Sequence, residues 1–140
     1  MPHLDPTDAQ AVALFSRGIA GPFSMLNLLR FREVADYGAD PALAPAAPIS
    51  GREAYDRYIA HTRPFLEATG GAIAFLGRGG PWFVGPETER WDLGMLITQA
   101  SVESFLAFAT NEDYLAGIGH RTAAVADSRM LALEAVPAPA

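Results

Sequence analysis

The alternation of hydrophobic and polar positions predicts four β-strands. Three segments, Phe23 to Arg32, Leu93 to Gln99 and Met130 to Val136, are apolar on both of their alternating faces. Antiparallel strands with one face in water alternate between apolar and polar residues, so this pattern predicts a sheet that is covered on both sides. The fourth segment, Ala72 to Gly85, is interrupted by Gly and Pro, which predicts a bent or bulged strand at a sheet edge.

Apolar residues at helical spacing predict the helices between these strands. Ser50, with Glu53 three residues later, has the sequence of a capping box and starts the most regular helix. Thr7 and Ser101 are predicted to cap two further helices. Pro64 lies inside this helix and predicts a kink, because proline lacks an amide N–H. A short helix is predicted over Ser101 to Ala109, followed by a helical stretch with glycine breaks over Asn111 to Ala126.

The order of these elements predicts an α+β, ferredoxin-like βαββαβ fold with a four-stranded antiparallel sheet. Its core spans about residues 23–136, with a turn at Asp127-Ser128 before the last strand. An extra N-terminal helix is predicted over about 7–17 and a Pro/Ala-rich loop over about 33–50. Both main helices cover one face of the sheet, and a second copy about a two-fold axis is the simplest cover for the other. We therefore expect a face-to-face homodimer.

Length, charge and composition narrow the class of protein. A chain of 140 residues is expected to form a single domain. Its net charge of −6 argues against nucleic acid as a partner, because phosphate binding needs clustered cations. All ten basic residues are Arg, so no lysine is present for Schiff-base chemistry. The sequence has no signal pattern or membrane-length apolar run, and we expect a cytoplasmic, bacterial protein with no membrane partner.

Two strand and helix positions are candidates for chemistry. Asn27 lies between Met25 and Leu29 on one strand face, where a buried amide must find hydrogen-bond partners, in a ligand pocket or in a neighbouring loop. His61 lies three residues after Tyr58 on one helix. The imidazole could act as a general base with the phenol as its companion, although neighbouring arginines favour a solvated face.

Further candidates would recognise an anion. Arg78, in a glycine-rich segment, could clamp a carboxylate with Trp82 as an apolar wall. The alternatives are a solvent-exposed Arg78 at an edge bend and cross-strand packing of Trp82. His120 and Arg121 follow a helix break, where they could meet an anionic group or stabilise terminal carbonyls. With no Cys and three separated His, the sequence predicts no metal site and no cofactor, and haem bound by a histidine is a weaker alternative.

Five short segments resemble domain of unknown function family 1330, of the dimeric α/β-barrel superfamily. They are Met25 to Phe31, Tyr55 to Tyr58, Gly70-Gly71, Gly77-Arg78 and Tyr114 to Arg121. The first helix and the proline-rich loop look like additions to this plan. The resemblance implies the dimeric barrel but no settled activity, because relatives include cofactor-free monooxygenases, isomerase-like enzymes, haem-handling proteins and stress-response proteins.

The sequence thus leaves two classes of function open. One is a homodimeric enzyme for a small aromatic or carboxylated metabolite, acting as a cofactor-independent monooxygenase or isomerase. In that case a histidine is the base, Asn27 and Tyr58 polarise the substrate, and Arg78 or Arg121 holds its anionic group. The other is a non-catalytic ligand-binding or stress-associated dimer, whose polar residues serve stability.

Overall fold

The computed structural model describes residues 1–140 as five α-helices and four β-strands. In chain order the elements are α1 (Asp8–Ser16), β1 (Phe23–Phe31), α2 (Gly51–Ala68), β2 (Ala72–Pro81), β3 (Arg90–Gln99), α3 (Val102–Ala109), α4 (Glu112–Leu115), α5 (Gly119–Ala124) and β4 (Val125–Leu133). A single 3-10 turn, Pro41–Leu43, interrupts the proline-rich loop. None of the helices has both the length and the apolar character that a membrane crossing requires.

The four strands form one antiparallel sheet in the order β2-β3-β1-β4. This order, with α2 connecting β1 to β2 and α3 to α5 connecting β3 to β4, is the ferredoxin-like plan, which confirms the fold expected from the sequence. The glycine-containing strand β2 lies at an edge, as expected, and its register with β3 shifts between Ile73 and Phe75. The expected edge position and irregularity of β2 are therefore both confirmed.

One face of the sheet, here named the covered face, packs against the helices. Its residues alternate along the two central strands and are Phe23, Met25, Asn27 and Leu29 on β1, opposite Gln99, Ile97, Met95 and Leu93 on β3. Leu29, Leu93 and Met95 pack with Ala54 and Tyr55 of α2 in the largest core cluster. The hydrophobic core therefore lies between α2 and the middle of the sheet.

The opposite face, here named the open face, is apolar but has no helix over it. Cross-strand neighbours on it include Leu26, Leu28, Leu96, Phe75, Leu131 and Leu133. Phe75 keeps 63% of its surface exposed and Leu131 keeps 56%. Contiguous apolar surface of this kind is typical of an interface, so the doubly apolar strand pattern corresponds to a real uncovered layer.

The last strand begins earlier than the sequence predicts. β4 starts at Val125, and Asp127 and Ser128 lie inside it, where the sequence predicts a turn and a strand start at Met130. Both residues are buried, and both bond to His3 of the N-terminal segment. These remote hydrogen bonds satisfy side chains that would otherwise favour a turn.

Side-chain caps fix the start of the three longer helices. Thr7 forms a capping box with Gln10 at α1, and Ser101 accepts the Ser104 amide at α3. Ser50 accepts the amide of Glu53 at α2, as predicted, but the Glu53 carboxylate accepts from the Ser50 hydroxyl and not from its amide. The sequence predicts these capping positions because each capping hydrogen bond joins two residues that are three positions apart.

Candidate functional site

A cavity of about 280 Å³ lies between the covered face of the sheet and the helices α2 to α5. Fifteen of its 22 lining residues are hydrophobic. The apolar walls include Met25, Leu66, Ile97, Phe105 and Phe108. A concave, mostly apolar space with a few polar groups is the usual form of a small-molecule site.

Three buried polar side chains line this cavity. Asn27, 6% exposed, donates from Nδ2 to the Met25 carbonyl at 3.1 Å. Thr62 Oγ1 on α2 and Gln99 Oε1 on β3 are both buried and have no hydrogen-bond partner in the protein. A buried polar group without a partner costs free energy, roughly 1–3 kcal/mol. Both residues line the cavity, so a ligand bound there is one source of the missing partners.

Three phenols form a second polar group on the cavity wall. The ring of Tyr58 lies 5.2 Å from that of Tyr55 and 6.2 Å from that of Tyr114. Burial raises the pKa of Tyr55 and of Tyr114 above the ordinary phenol value, and the nearby Tyr58 raises both further. Tyr55 and Tyr114 are therefore neutral near pH 7 and can act as hydrogen-bond donors.

Arg121 provides a cation at the cavity. From α5, its Nη1 donates to the Leu4 carbonyl at 3.1 Å, and its Nη2 lies 3.5 Å from Ser128 Oγ. It takes part in none of the ion pairs of the structure. A guanidinium without a carboxylate partner, next to an apolar space, is suited to hold a carboxylate.

The structure places neither histidine candidate on the cavity wall. His61 turns towards α4, where its Nε2 donates to the carbonyls of Asp113 at 2.9 Å and Tyr114 at 3.1 Å. A Cβ at Gly117 would overlap the His61 ring, so the glycine makes this approach possible. His120 contacts the loop of residues 33–50, and its Nδ1 lies 2.7 Å from the Tyr37 hydroxyl.

The other sequence candidates lie in three different places. Asn27, Tyr58 and Arg121 line the cavity together. Arg78 lies in a separate cleft at one end of the sheet. Trp82 is 40% exposed, and its Nε1 donates to Glu89 at 2.8 Å across the β2–β3 connection. The cavity therefore contains a subset of the predicted residues.

Several polar residues of the cavity were not predicted from the sequence, among them Tyr55, Thr62, Gln99 and Tyr114. A signal existed for two of them, because Tyr55 and Thr62 share one face of α2 at a spacing of seven residues. In the sequence, this spacing indicated only a helix with one buried face. Gln99 is the covered-face residue at the end of β3, and only the strand register places it inside.

Two solved structures of one protein show to which family this chain belongs. A crystal structure of RPA0582, a protein of unknown function from Rhodopseudomonas palustris, is 32% identical, with a TM-score of 0.82 over 99% of this chain and 100% of that one. The chain belongs to the RPA0582 family. A structure of methylated RPA0582 matches with a TM-score of 0.83 and 32% identity over 97% of this chain and 96% of that one.

The match to RPA0582 covers nearly the whole chain, and it includes the stretches that contain α1 and the proline-rich loop. A dimeric ferredoxin-like protein of unknown function from Jannaschia sp. CCS1 is 18% identical over 82% of this chain and all of its own, with a TM-score of 0.46. Neither a family model nor a protein of curated function matches. The resemblance to family 1330 therefore stays a prediction.

Proposed function

We propose that the protein is a homodimer that binds, in each cavity, a small ring-containing molecule with a carboxylate. The observation that carries this proposal is the combination of unpartnered Thr62 Oγ1 and Gln99 Oε1 with an unpaired Arg121 around one apolar space. The ligand carboxylate would pair with Arg121, and a polar group of the ligand would bond to the Thr62 hydroxyl. Gln99 Oε1 is an acceptor, so it needs a separate hydrogen-bond donor on the ligand.

The size of the cavity supports a ligand of about one ring. Its volume of about 280 Å³ is near the lower end of the usual range for ligand pockets, roughly 300–1,000 Å³. Phe105 and Phe108 offer aromatic surface to the ring. The carboxylate would lie towards Arg121, and a donor group of the ligand would reach the Gln99 carbonyl oxygen.

The cavity wall favours binding over catalysis. The carboxyl group on the wall belongs to Asp5, in the exposed N-terminal segment. Burial raises the pKa of the Tyr55 and Tyr114 phenols, so both are poor bases near pH 7. Both His61 and His120 are engaged elsewhere. Proton abstraction needs a base within reach of the substrate, so a monooxygenase or isomerase has less support than a binding protein.

The open face supports the homodimeric part of the proposal. Leucines on three adjacent strands, with Leu26 opposite both Leu96 and Leu131, form a continuous apolar layer. Two such sheets can pack face to face about 10 Å apart. A two-fold axis through this layer would bury the same residues from each subunit.

Benzoate and benzamide test the ligand class, because they share a shape and differ in charge. We expect benzoate to bind more tightly in calorimetry and to shift NMR signals of Thr62 and Phe108. Arg121→Gln should remove this preference, whereas Arg17→Gln, which breaks a remote surface pair with Glu134, should keep it. Absence of cavity shifts with either compound would overturn the proposal.

Sedimentation tests the dimer. Leu96→Glu should produce monomers, because it places a charge within the apolar layer, and Leu28→Ala should weaken association. Leu106→Glu is the matched control, since Leu106 is 45% exposed on α3, away from the open face. A wild-type monomer, or a dimer that resists Leu96→Glu, would contradict this arrangement.

A further inference from the structure

Four of the ten arginines line a single cleft outside the cavity. The cleft, about 620 Å³, lies at the end of the sheet where β1 leads towards the start of α2. The charged residues that line it are Arg32, Arg52, Arg78, Arg90, Glu33 and Asp92. The other lining residues are Phe31, Ser50 and Gly79. A local excess of two positive charges therefore exists in a chain whose net charge is −6.

These cations are only partly neutralised. Arg32 and Arg78 belong to no ion pair of the structure, whereas Arg52 pairs with Asp56 on α2 at 3.1 Å. Arg90 is 3.8 Å from Asp92, and the other carboxylate oxygen of Asp92 accepts the Phe31 amide at 2.9 Å. The Nε of Arg32 is buried and has no hydrogen-bond partner. The cleft thus contains more guanidinium donors than protein acceptors.

Close backbone packing holds two of the walls in place. The Gly51 amide donates to the Arg32 carbonyl at 3.1 Å, and a Cβ at position 51 would overlap that carbonyl. A Cβ at Gly79 would likewise overlap the Trp91 carbonyl. Arg52, in the first turn of the 18-residue helix α2, adds its cation near the positive end of the helix dipole. The arginines therefore emerge from a fixed frame.

We propose that this cleft binds a small, multiply charged oxyanion, of the phosphate-ester or polycarboxylate class. Planar guanidinium groups hold such anions through paired hydrogen bonds, and the anion would supply a partner to Arg32 and Arg78, which have no carboxylate partner in the protein. The site is separate from the cavity, since no residue lines both. It does not depend on the function proposed for the cavity.

Calorimetry with inorganic pyrophosphate and with citrate, at low ionic strength, tests this inference. We expect at least one to bind, with affinity that falls as salt is added. The preferred anion identifies the class, phosphate or carboxylate. Arg78→Gln should weaken binding by about tenfold, the loss of a charge-assisted hydrogen bond. Arg17→Gln, an equivalent change on α1, should leave binding unchanged.

Removing a negative charge from the cleft gives the opposite test. Glu33 is exposed and pairs with no cation, so Glu33→Gln should tighten binding several-fold without disturbing the fold. Backbone NMR shifts should centre on residues 78–79 and not on the cavity. Failure of both anions to bind, or equal losses in Arg78→Gln and Arg17→Gln, would overturn the inference.

Discussion

The hydroxyl of Tyr58 on α2 lies 2.7 Å from that of Tyr114 on α4. The hydrogen bond between them joins two helices that are 56 residues apart in sequence. Tyr114 also packs against Phe108, with ring centroids 4.5 Å apart. One wall of the cavity is therefore cross-linked by polar and aromatic contacts between α2, α3 and α4.

Replacing Thr62 with Val tests whether the buried, unpartnered hydroxyl of Thr62 lowers the stability of the fold. Thr62 Oγ1 is buried without a partner, so Thr62→Val should raise the free energy of unfolding by about 1 kcal/mol. The same change should weaken ligand binding, because it removes a polar group from the cavity. Urea denaturation and benzoate titration measure the two effects.

Thr122→Val is the matched control for that substitution. Thr122 is exposed on α5, and its hydroxyl donates to the Ile118 carbonyl at 3.4 Å. No stabilisation is expected there, because no unsatisfied buried group is removed. If Thr62→Val lowers the free energy of unfolding instead of raising it, the Thr62 hydroxyl must have a partner in solution. Its assignment to a ligand would then be wrong.

Stability at high pH should depend on the buried phenols. A phenol whose pKa is raised by folding stabilises the fold fully below its unfolded pKa of about 10, and this contribution is lost as pH rises towards the folded value. We therefore expect the free energy of unfolding to fall with pH above about 10. Tyr55→Phe should reduce this slope, and addition of Tyr114→Phe should reduce it further. An unchanged slope in the double variant would contradict the burial argument.

Local patterns were sufficient to predict the fold. Alternation in β1 and β3 identified two apolar faces, and caps at Thr7, Ser50 and Ser101 placed the helix starts, because these signals involve residues near one another in sequence. Asn27 was singled out for the cavity because an amide is unusual at a strand centre. These features required no knowledge of distant contacts.

The remaining features depend on residues that are far apart in sequence. His61 bonds to carbonyls 52 and 53 residues away, so its spacing from Tyr58 could not show where the ring points. The start of β4 was missed for the same reason, because Asp127 finds its partner at His3, 124 residues away. The arginine cleft likewise exists only once four separate elements meet.

Asp127 should secure the N-terminal segment to β4. Burial raises its pKa, but hydrogen bonds from the amides of His3 and Ser128 and from Arg129 outweigh this effect and lower the pKa below its usual value. Asp127→Asn should therefore cost about 1–3 kcal/mol of the free energy of unfolding at neutral pH. The contribution of Asp127 is present above its unfolded pKa of 3.8 and is lost as pH falls through the lower folded value.

Chemical denaturation of the wild type and of Asp127→Asn, from neutral pH to below pH 3.8, tests this prediction. The difference between wild type and Asp127→Asn should shrink as pH falls below 3.8. Asp56→Asn is the control, because Asp56 forms an exposed pair with Arg52 that is worth at most about 1 kcal/mol. Equal effects of the two substitutions would show that the His3 contact contributes little.

Mild acid should loosen the loop of residues 33–50 from α5. Desolvation and the nearby Arg57 and His61 lower the pKa of His120, while Asp40 opposes them. The neutral His120 ring accepts a hydrogen bond from the Tyr37 hydroxyl. The contribution of this bond to stability is present above the unfolded histidine pKa of 6.5 and is lost as pH falls towards the lower folded pKa. Protonation of Nδ1 would remove the acceptor, so the loop should open more often.

Hydrogen exchange of the Asp36 amide, which donates to the Ala123 carbonyl at 2.9 Å, reports this opening. After correction for intrinsic rates, we expect faster exchange at pH values below 6.5. Tyr37→Phe should speed exchange at neutral pH and reduce its dependence on pH, because the bond to His120 is already absent. Amides of α1, which lacks this contact, serve as the internal control. Exchange at Asp36 that is independent of pH in the wild type would show that other contacts hold the loop.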